Sequence, residues 1–568
     1  MKDLITKLEK LKAQLKTERS SFEAHWQDCS DYVSPKRYKL HVQDDNRGEA
    51  DRDLIIDSTA TSSLRVLSSG LMAGITSPAR PWFRLSLKDE KAARSASVKR
   101  WLSEVEKKMQ YQFIVSNLYN VLPNVYTDLG LFSTGAMLMQ RDDEIGVRFQ
   151  SLPIGSFWIG NDHKMRPRKF VREFRFTVSQ VVEKFAKKDA SGKVIDWSNI
   201  STSVKSQYET DSKESWVTIT HVILPNPDHR PDSPLSIHKK FLDVYYENAR
   251  EEGKQPLQKS GTSFFKVLCP RWGVTGSDVY GVDGPTMVAL GDIKQLQHGE
   301  KKTAHALDKM VDPPMVGPPE LRQSGSSIMA GEITYLSDPT GKAFRESHQV
   351  RYDITSMENK QAQVRQRIRS AYFHDLFLMI SSSDRRNITA TEIDARQEEK
   401  LLALGPVLEQ LNQDMLDPLI ENTFTIMFED GAFPEPPEEI QGLDMRVEYI
   451  SIMAQAQKLT GIAANDRLLD SLGRIANLDP AVLKKLRANN LADSYADLLG
   501  SDPNLLNSNE EVQEMEEMEA ELAAQQQAEV AQAQEIQNMQ QLSSVDTEGK
   551  NALTDLMRQS EAGEIVDA

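Results

Sequence analysis

The chain has 568 residues, a formal net charge of −16, 39% apolar and 27% charged residues, enough length for several domains and a sizeable core. No run of about 18 apolar residues occurs, which excludes an apolar membrane-spanning helix. Two cysteines, Cys29 and Cys269, are too few for a disulfide framework or a cysteine zinc site, so a reducing compartment is expected.

The charge is uneven. Between Arg487 and Lys550 there are fourteen Asp or Glu and no Lys or Arg, so the rest of the chain is near neutral. A basic nucleic-acid binder would show a high pI; any DNA contact here must be local and non-specific.

Residues 1 to about 30 predict a helix through Leu4, Leu8, Leu11 and Leu15, with no apolar leader core at Met1 to Ile5. Ser20 and Glu23 are spaced to restart a turn carrying Phe22 and Trp26. Residues 38–52 are polar and predict a loop. From Leu54 a helix runs through Leu64, Leu67 and Leu71 and stops before Pro78 and Pro81, because closely spaced prolines cannot continue it. A strand follows at 83–87, then a helix at 97–119 with Trp101, Val105 and Met109 at four-residue spacing.

The period changes at Ala136. Short apolar runs at 137–139, 147–149, 157–159, 170–174, 216–224, 241–246 and 264–268 predict strands of a β-rich module. Pro285 opens a helix, at the position where its missing N–H costs nothing, with Ile293, Leu296, Ala304, Leu307 and Met310 on one stripe. Residues 312–352, rich in Pro, Gly and Ser, predict a compact insertion with short strands at 315–316 and 333–335. Asp353 then begins a second helix, to 380, with Ile354, Met357, Val364, Ile368 and Ala371 on one face. The two flanking helices are matched in length, each roughly 40 Å at ~1.5 Å per residue. Such a match predicts an antiparallel pair with a module at its tip. The second helix carries Lys360, Arg365, Arg367 and Arg369, and no acidic residue lies between Asn359 and His374.

A polar break follows, with Ser381, Ser382, Ser383, Asp384, Arg385, Arg386 and Asn387. Thr389 and Glu392 form a capping box for a long helix to Phe428, with a kink expected at Gly405-Pro406. Pro434, Pro436 and Pro437 break the chain, residues from Val447 to about Leu499 predict short helices, and 509–542 is helix-prone Glu, Gln, Ala and Met.

The sequence carries none of the common signatures of catalysis: there is no phosphate-binding G-x-x-x-x-G-K-[ST], H-E-x-x-H, G-x-S-x-G or G-x-G-x-x-G. Asp142-Asp143 and Glu398-Glu399 read as solvated surface, the ten histidines are scattered, and His221 in a strand reads as a satisfied core residue. Cys269 beside Pro270 reads as inert and buried. No enzyme, metal or cofactor is expected.

Several blocks, in order over roughly residues 20 to 430, resemble the head-to-tail connector, or portal, proteins of short-tailed bacteriophages. They are Trp26, Tyr32-Val33-Ser34-Pro35, Asp57-Ser58-Thr59, and the most specific, Leu71-Met72-Ala73-Gly74-Ile75-Thr76-Ser77-Pro78-Ala79-Arg80-Pro81-Trp82-Phe83. Ser116-Asn117-Leu118-Tyr119, Leu131-Phe132-Ser133-Thr134-Gly135, Tyr280-Gly281-Val282-Asp283-Gly284-Pro285, Asp292-Ile293-Lys294, Asp312-Pro313-Pro314 and Thr389-Ala390-Thr391-Glu392-Ile393 with Arg396 and Glu399 follow. Ser133 stands where the family has Gly, which puts the local turn in question.

The resemblance implies an α+β, mainly helical subunit assembling as a ring of twelve at one capsid vertex. Its parts would be an α/β wing (1–284), a stem of two antiparallel helices (285–311 and 353–380), a small α/β clip (312–352) and a tunnel loop (381–388). A long kinked helix and connection (389–449), a helical crown (450–508) and an acidic tail (509–568) complete it. Double-stranded DNA would pass non-specifically through the ring. Implied partners are other copies of the chain, a separate packaging ATPase (terminase large subunit), major capsid and scaffolding proteins, and a tail adaptor, with no membrane. The protein would be made in the host cytoplasm and end in the virion. On this reading Arg385 and Arg386 face phosphates, or else pair with Glu392 or a neighbouring subunit. Lys360, Arg365, Arg367 and Arg369 form a basic stem face, whose plainer reading is inter-subunit salt bridges or solvated surface. Pro313, Pro314, Leu321 and Tyr335 would serve the clip's partner. The alternatives are a tail or capsid subunit without DNA passage, or a nucleic-acid-processing enzyme.

Overall fold

The computed structural model describes residues 2–37, 54–89, 95–189, 194–248, 255–311, 353–382, 404–437, 445–450 and 509–544. It also describes the strand pair Met315–Val316 with Arg345–Glu346 and a few isolated positions. The chain divides into two units, one of residues 1–89 and 100–464, the other of 90–99 and 465–568.

In the larger unit α1 (Lys2–Val33) runs without interruption through Ser20. The expected restart does not occur, because the Ser20 hydroxyl bonds back to the Thr17 carbonyl and the buried stripe carries on from Leu8 and Leu15 to Trp26. Arg19 docks this helix on the β-sheet: its guanidinium donates to the carbonyls of Gly155 (2.9 Å) and Phe157 (2.8 Å) and lies over the Trp158 ring. Trp26, fully buried, packs between Phe22, Phe132 and Tyr280.

Helix α2 (Thr59–Ile75) is preceded by Asp57, whose carboxylate accepts from the Thr59 amide at 2.7 Å. It starts five residues later than the sequence suggests. Strand β1 (Phe83–Leu87) alternates buried and half-buried residues, the period of a one-sided strand. Its antiparallel partner is Met445–Tyr449, so helices do not begin at Val447 as expected; Val447 lies in a strand opposite Leu85. Helices α3 (Ala96–Val115) and α4 (Leu118–Phe132) follow.

Two antiparallel sheets fill the middle. One is the hairpin of β2 (Met137–Asp142) and β3 (Gly146–Ser151), extended later by Val267–Leu268, a shorter strand than the 264–268 run suggested. The other is five-stranded and contains β4 (Phe157–Asn161), β5 (Pro167–Thr177), Trp216–Pro225, Phe241–Glu247 and Gln258–Thr262. A small module is inserted after β5. Its first helix, α5 (Val178–Phe185), starts with a capping box of Thr177 and Gln180, and Val178, Val181, Val182 and Phe185 pack with Ile200, Val204 and Tyr245.

Helix α6 (Thr202–Glu209) closes that module, and α7 (Pro285–Val311) opens on proline. Helix α8 (Ile354–Ala371) is capped by Asp353, which accepts from the Ser356 amide at 3.2 Å. It does not continue to residue 380. Phe373 takes a left-handed conformation (φ 53) and α9 (His374–Ser382) starts afresh. A bulky residue there costs on the order of 1–3 kcal/mol. Beyond it, α10 (Gly405–Leu411) has Pro406 in its first turn. A π turn at Asn412–Leu416 leads into α11 (Asp417–Glu429) with Pro418, and the helix expected ahead of Gly405-Pro406 lies outside the described residues. The smaller unit contains α12 (Asn509–Ser544), as the composition led one to expect.

Candidate functional site

Helices α7 and α8 are antiparallel. Thr286 meets Tyr372, Asp292 meets Arg367, Glu300 meets Arg365, and Thr303 meets Gln361, so one chain rises as the other descends. The seam is built from residues at helical spacing: Ile293, Leu296 and Ala306 on one side, Val364 and Ile368 on the other, all buried. Within it the Gln361 amide donates to the Thr303 hydroxyl at 2.8 Å, which satisfies two buried polar groups at once.

Two of the four basic residues assigned to the stem face are committed within the chain. Arg365 donates to Asp57 at 2.8 Å and also meets Glu300. Hydrogen bonds from Thr59 and Arg365 hold the Asp57 carboxyl low despite its burial. Arg367 grips both oxygens of Asp292, at 2.6 and 3.1 Å. The sequence suggests inter-subunit salt bridges or solvated surface here; these pairs instead join the helix pair to itself and to the residues before α2. Nearby, Gln297 accepts from the Ile56 and Asp57 amides (2.7 and 2.8 Å) and donates to the Asp57 carbonyl. Together these bonds fasten the residues before α2 to the pair. Lys360 and Arg369 are exposed.

A basic face that sequence reasoning missed lies on α7. His298, Lys302, His305 and Lys309 follow the i, i+4, i+7, i+11 spacing of one helix face, Lys301 borders them, and all five are exposed. Between residues 298 and 311, Asp308 is the only exposed acidic residue. The signal was present as histidine and lysine at helical spacing, but it is visible only once the opposite face, Leu296, Thr303 and Ala306, is known to be the seam.

Of the loop residues, Ser381 and Ser382 are the last two of α9, so the break starts later than drawn. Ser383, Asp384, Arg385, Arg386 and Asn387 lie outside the described residues, as do Pro313, Pro314, Leu321 and Tyr335, the capping box at Thr389 and almost all of 450–508.

The base of the pair is closely fitted. Ser133 ends α4 in the left-handed conformation (φ 59), where glycine is the easy choice. Its hydroxyl accepts from the Gly284 amide at 2.9 Å and its carbonyl from the Trp272 amide at 2.8 Å. The serine therefore keeps the turn and fixes the approach to Pro285. Gly281 passes so near that an added Cβ would lie 1.9 Å from the Ser133 carbonyl oxygen.

Buried charge is concentrated elsewhere. The strand register puts Arg172, His221 and Tyr245 side by side across the large sheet. His221 accepts from Arg172 Nε at 3.1 Å, its other nitrogen meets Asp243 at 2.8 Å, and its ring stacks on Tyr245. Lys266 reaches the second Asp243 oxygen at 2.8 Å. Burial lowers the imidazole to about 4. His221 is thus a satisfied core residue, as expected. Arg271 and Asp414 form a second buried pair, bidentate at 2.8 and 3.0 Å. Cys269 is buried and its thiol is pushed up by that burial. Among the described residues no three His, Cys, Asp or Glu are placed to hold a metal ion, and no helix is long and apolar enough to cross a membrane.

Residues 5–506 match the family described as bacteriophage head to tail connecting protein. The chain is 40% identical over 547 residues to the "Probable portal protein" of Bordetella phage BPP-1, covering 96% of each. It is 38% identical over 543 residues to the "Portal protein" of Salmonella phage epsilon15, covering 95% of this chain and 96% of that one. A chain from the virion of a native gene transfer agent particle superposes with a TM-score of 0.32 and 11% identity, over 78% of this chain and 91% of that one; so low a score says nothing further about the fold.

Proposed function

The chain belongs to the bacteriophage head to tail connecting proteins, and from that premise we propose how it works as a phage portal protein. Twelve copies form a ring at one capsid vertex, the α7–α8 pairs line an axial channel, and double-stranded DNA enters and leaves through it.

The observation that carries this reading is the two-sidedness of the pair. One face is sealed by apolar contacts and internal ion pairs; the other presents His298, Lys301, Lys302, His305 and Lys309. That stripe spans about 16 Å at ~1.5 Å per residue, which matches roughly five phosphates of one strand at ~3.4 Å each. A conduit must not hold what it moves. Each phosphate neutralised releases counterions and adds affinity, so a strongly basic wall repeated twelve times would clamp the duplex. Committing Arg365 and Arg367 to carboxylates of the same chain keeps the wall weakly basic. Contacts to phosphate alone carry no sequence information, as transport of a whole genome requires.

Arg385 and Arg386, on the loop after α9, are proposed as sliding phosphate contacts. The insertion at 312–352, with Pro313, Pro314, Leu321 and Tyr335, is proposed to dock the packaging ATPase and then a tail adaptor. Capsid and scaffolding proteins would meet the β-rich body. The acidic segment 509–568 is proposed to face packaged DNA and repel it, so its deletion leaves the ring intact.

Negative-stain images of the purified protein test the core of this: a flared twelve-fold ring with an axial hole is expected, and particles without a hole refute it. Channel contacts are tested by duplex binding against salt. Lys302→Gln with Lys309→Gln should lower the salt slope by about one for each phosphate that these lysines neutralise, equally for unrelated DNA sequences. An unchanged slope removes the α7 stripe from the channel wall.

A further inference from the structure

The joint between α8 and α9 is where local sequence and tertiary packing disagree. From Ile368 to Phe377 there is no Gly or Pro, the residues that ordinarily end a helix. Val364, Ile368, Tyr372 and Leu376 recur every four residues and all are buried, the pattern of a single helix passing straight through. The chain breaks nonetheless. The Tyr372 amide reaches the Ile368 carbonyl and the Phe373 amide the Ser370 carbonyl. Phe373 then adopts φ 53, and helical bonding resumes from the Phe377 amide to the Phe373 carbonyl.

Three contacts hold the bend. The Tyr372 hydroxyl, fully buried, meets the Thr286 hydroxyl at 2.7 Å, and Thr286 is itself tied to the Gly130 carbonyl at 2.8 Å. Phe373 lies beside Trp272. Phe377 is fully buried against α2 at Gly70, so close that a Cβ there would lie 2.2 Å from the ring. A bulky residue in the left-handed region is opposed by its own backbone sterics. It persists only because the seat at Gly70 and the Tyr372–Thr286 bond over-determine it.

We propose that Tyr372-Phe373 is a two-state joint. In one state α9 is bent into the groove at Gly70; in the other α8 and α9 form one continuous helix from Ile354 to Ser382 and Phe377 leaves its seat. The balance is set by Phe373 strain on one side and by the Gly70 and Thr286 contacts on the other. All the contacts that hold the joint lie within one chain, so its balance does not require the ring or DNA.

Exposed Ala362 and Leu378 allow it to be measured. With Ala362→Cys and Leu378→Cys in the full-length protein, spin labels attach selectively, since Cys29 and Cys269 are both buried. A continuous helix sets the labelled positions about 24 Å apart along the axis; the bend brings them nearer. In sparsely labelled protein, Phe373→Gly, which favours the left-handed position, should shift the weight towards the shorter distance. Phe373→Ala, a helix former, should raise the weight near 24 Å relative to Phe373→Gly by roughly fivefold to thirtyfold. Gly70→Ala, which evicts Phe377, should act in the same direction. Should Gly70→Ala fail to fold, the pair at 373 decides alone, because it leaves the Gly70 seat untouched. One distance, the same in Phe373→Gly and Phe373→Ala, overturns the proposal.

Discussion

Two regions hold charge in opposite ways. In the large sheet, Arg172, His221, Asp243 and Lys266 form a cluster in which His221 is fully buried and Asp243 nearly so. In the helix pair, Arg365 and Arg367 meet their carboxylates at side chains that are 32% and 52% exposed. Distances are alike, near 2.6–3.1 Å, so geometry alone does not separate them. Solvent does. Within the sheet the charges on Arg172 and Asp243 must be answered by other protein groups, because burial keeps water from them. Along the helices water can replace both partners of Arg367–Asp292 and the arginine of Arg365–Asp57, whose carboxylate is 11% exposed. The sheet cluster therefore fixes structure, whereas the helix pairs set which charges are left to face outward.

The largest effect should come from breaking the sheet cluster. Asp243→Ala removes the acceptor of both His221 and Lys266 and leaves buried donors uncompensated. Loss of one partner of a buried pair costs about 3–5 kcal/mol, visible as a lower midpoint in thermal or denaturant unfolding. If Asp243→Ala unfolds no earlier than the parent, water reaches the cluster and the contrast with the helix pair fails.

Acid sharpens the comparison. The His221 imidazole is lowered by burial to about 4 from 6.5, and its Nδ1 already accepts from Arg172, so a proton there would set two donors face to face. The unfolded chain takes that proton first, and stability should fall as pH drops from 6.5 to 4, by on the order of 3 kcal/mol. Asp128 works in the other direction. Burial raises its carboxyl from 3.8 to about 6, more than Arg37 at 2.8 Å lowers it. The folded chain takes this proton first, and acidification from 6 towards 3.8 adds stability. The two partly cancel. In Asp128→Asn the compensation is gone, and the acid-side fall in unfolding midpoint should steepen; in His221→Gln it should flatten or reverse. Parallel curves for all three proteins would mean that neither group controls the acid limb.

Much of this layout was readable beforehand. The antiparallel pair, the helix start at Asp353, the proline start of α7 and most of the strand runs follow from short-range rules that act within four residues. The expected match in helix length does not hold, since α8 ends at Ala371 after 18 residues against 27 in α7. His221 as a core residue followed from its place in a strand. What escaped depends on partners far along the chain. Arg365 finds Asp57 from 308 residues away and Arg367 finds Asp292 from 75, and no spacing rule links them. The break at Phe373 escaped for the converse reason: its local sequence is helical, and the cause is a glycine on another helix. The family resemblance implies a stem of two helices, but says nothing of which face of α7 packs in the seam.

The smallest expected effect tests the other side of the comparison. Arg367 is exposed, and its bidentate contact with Asp292 fixes a long side chain that water would otherwise solvate. Arg367→Gln should leave the unfolding midpoint within the repeatability of the scan, because exposed pairs contribute little and salt screens them. Arg365→Gln should be felt more, since Asp57 then loses a partner on which its low carboxyl depends and the attachment of the residues before α2 loosens. The informative readout is charge rather than stability. Freed of Arg367, Asp292 presents a new negative charge on the helix pair, so duplex binding at low salt should weaken slightly while thermal stability holds. A drop in stability without a change in binding would instead make Arg367 a structural clamp, and would move the outward-facing charge of the pair wholly to the α7 stripe.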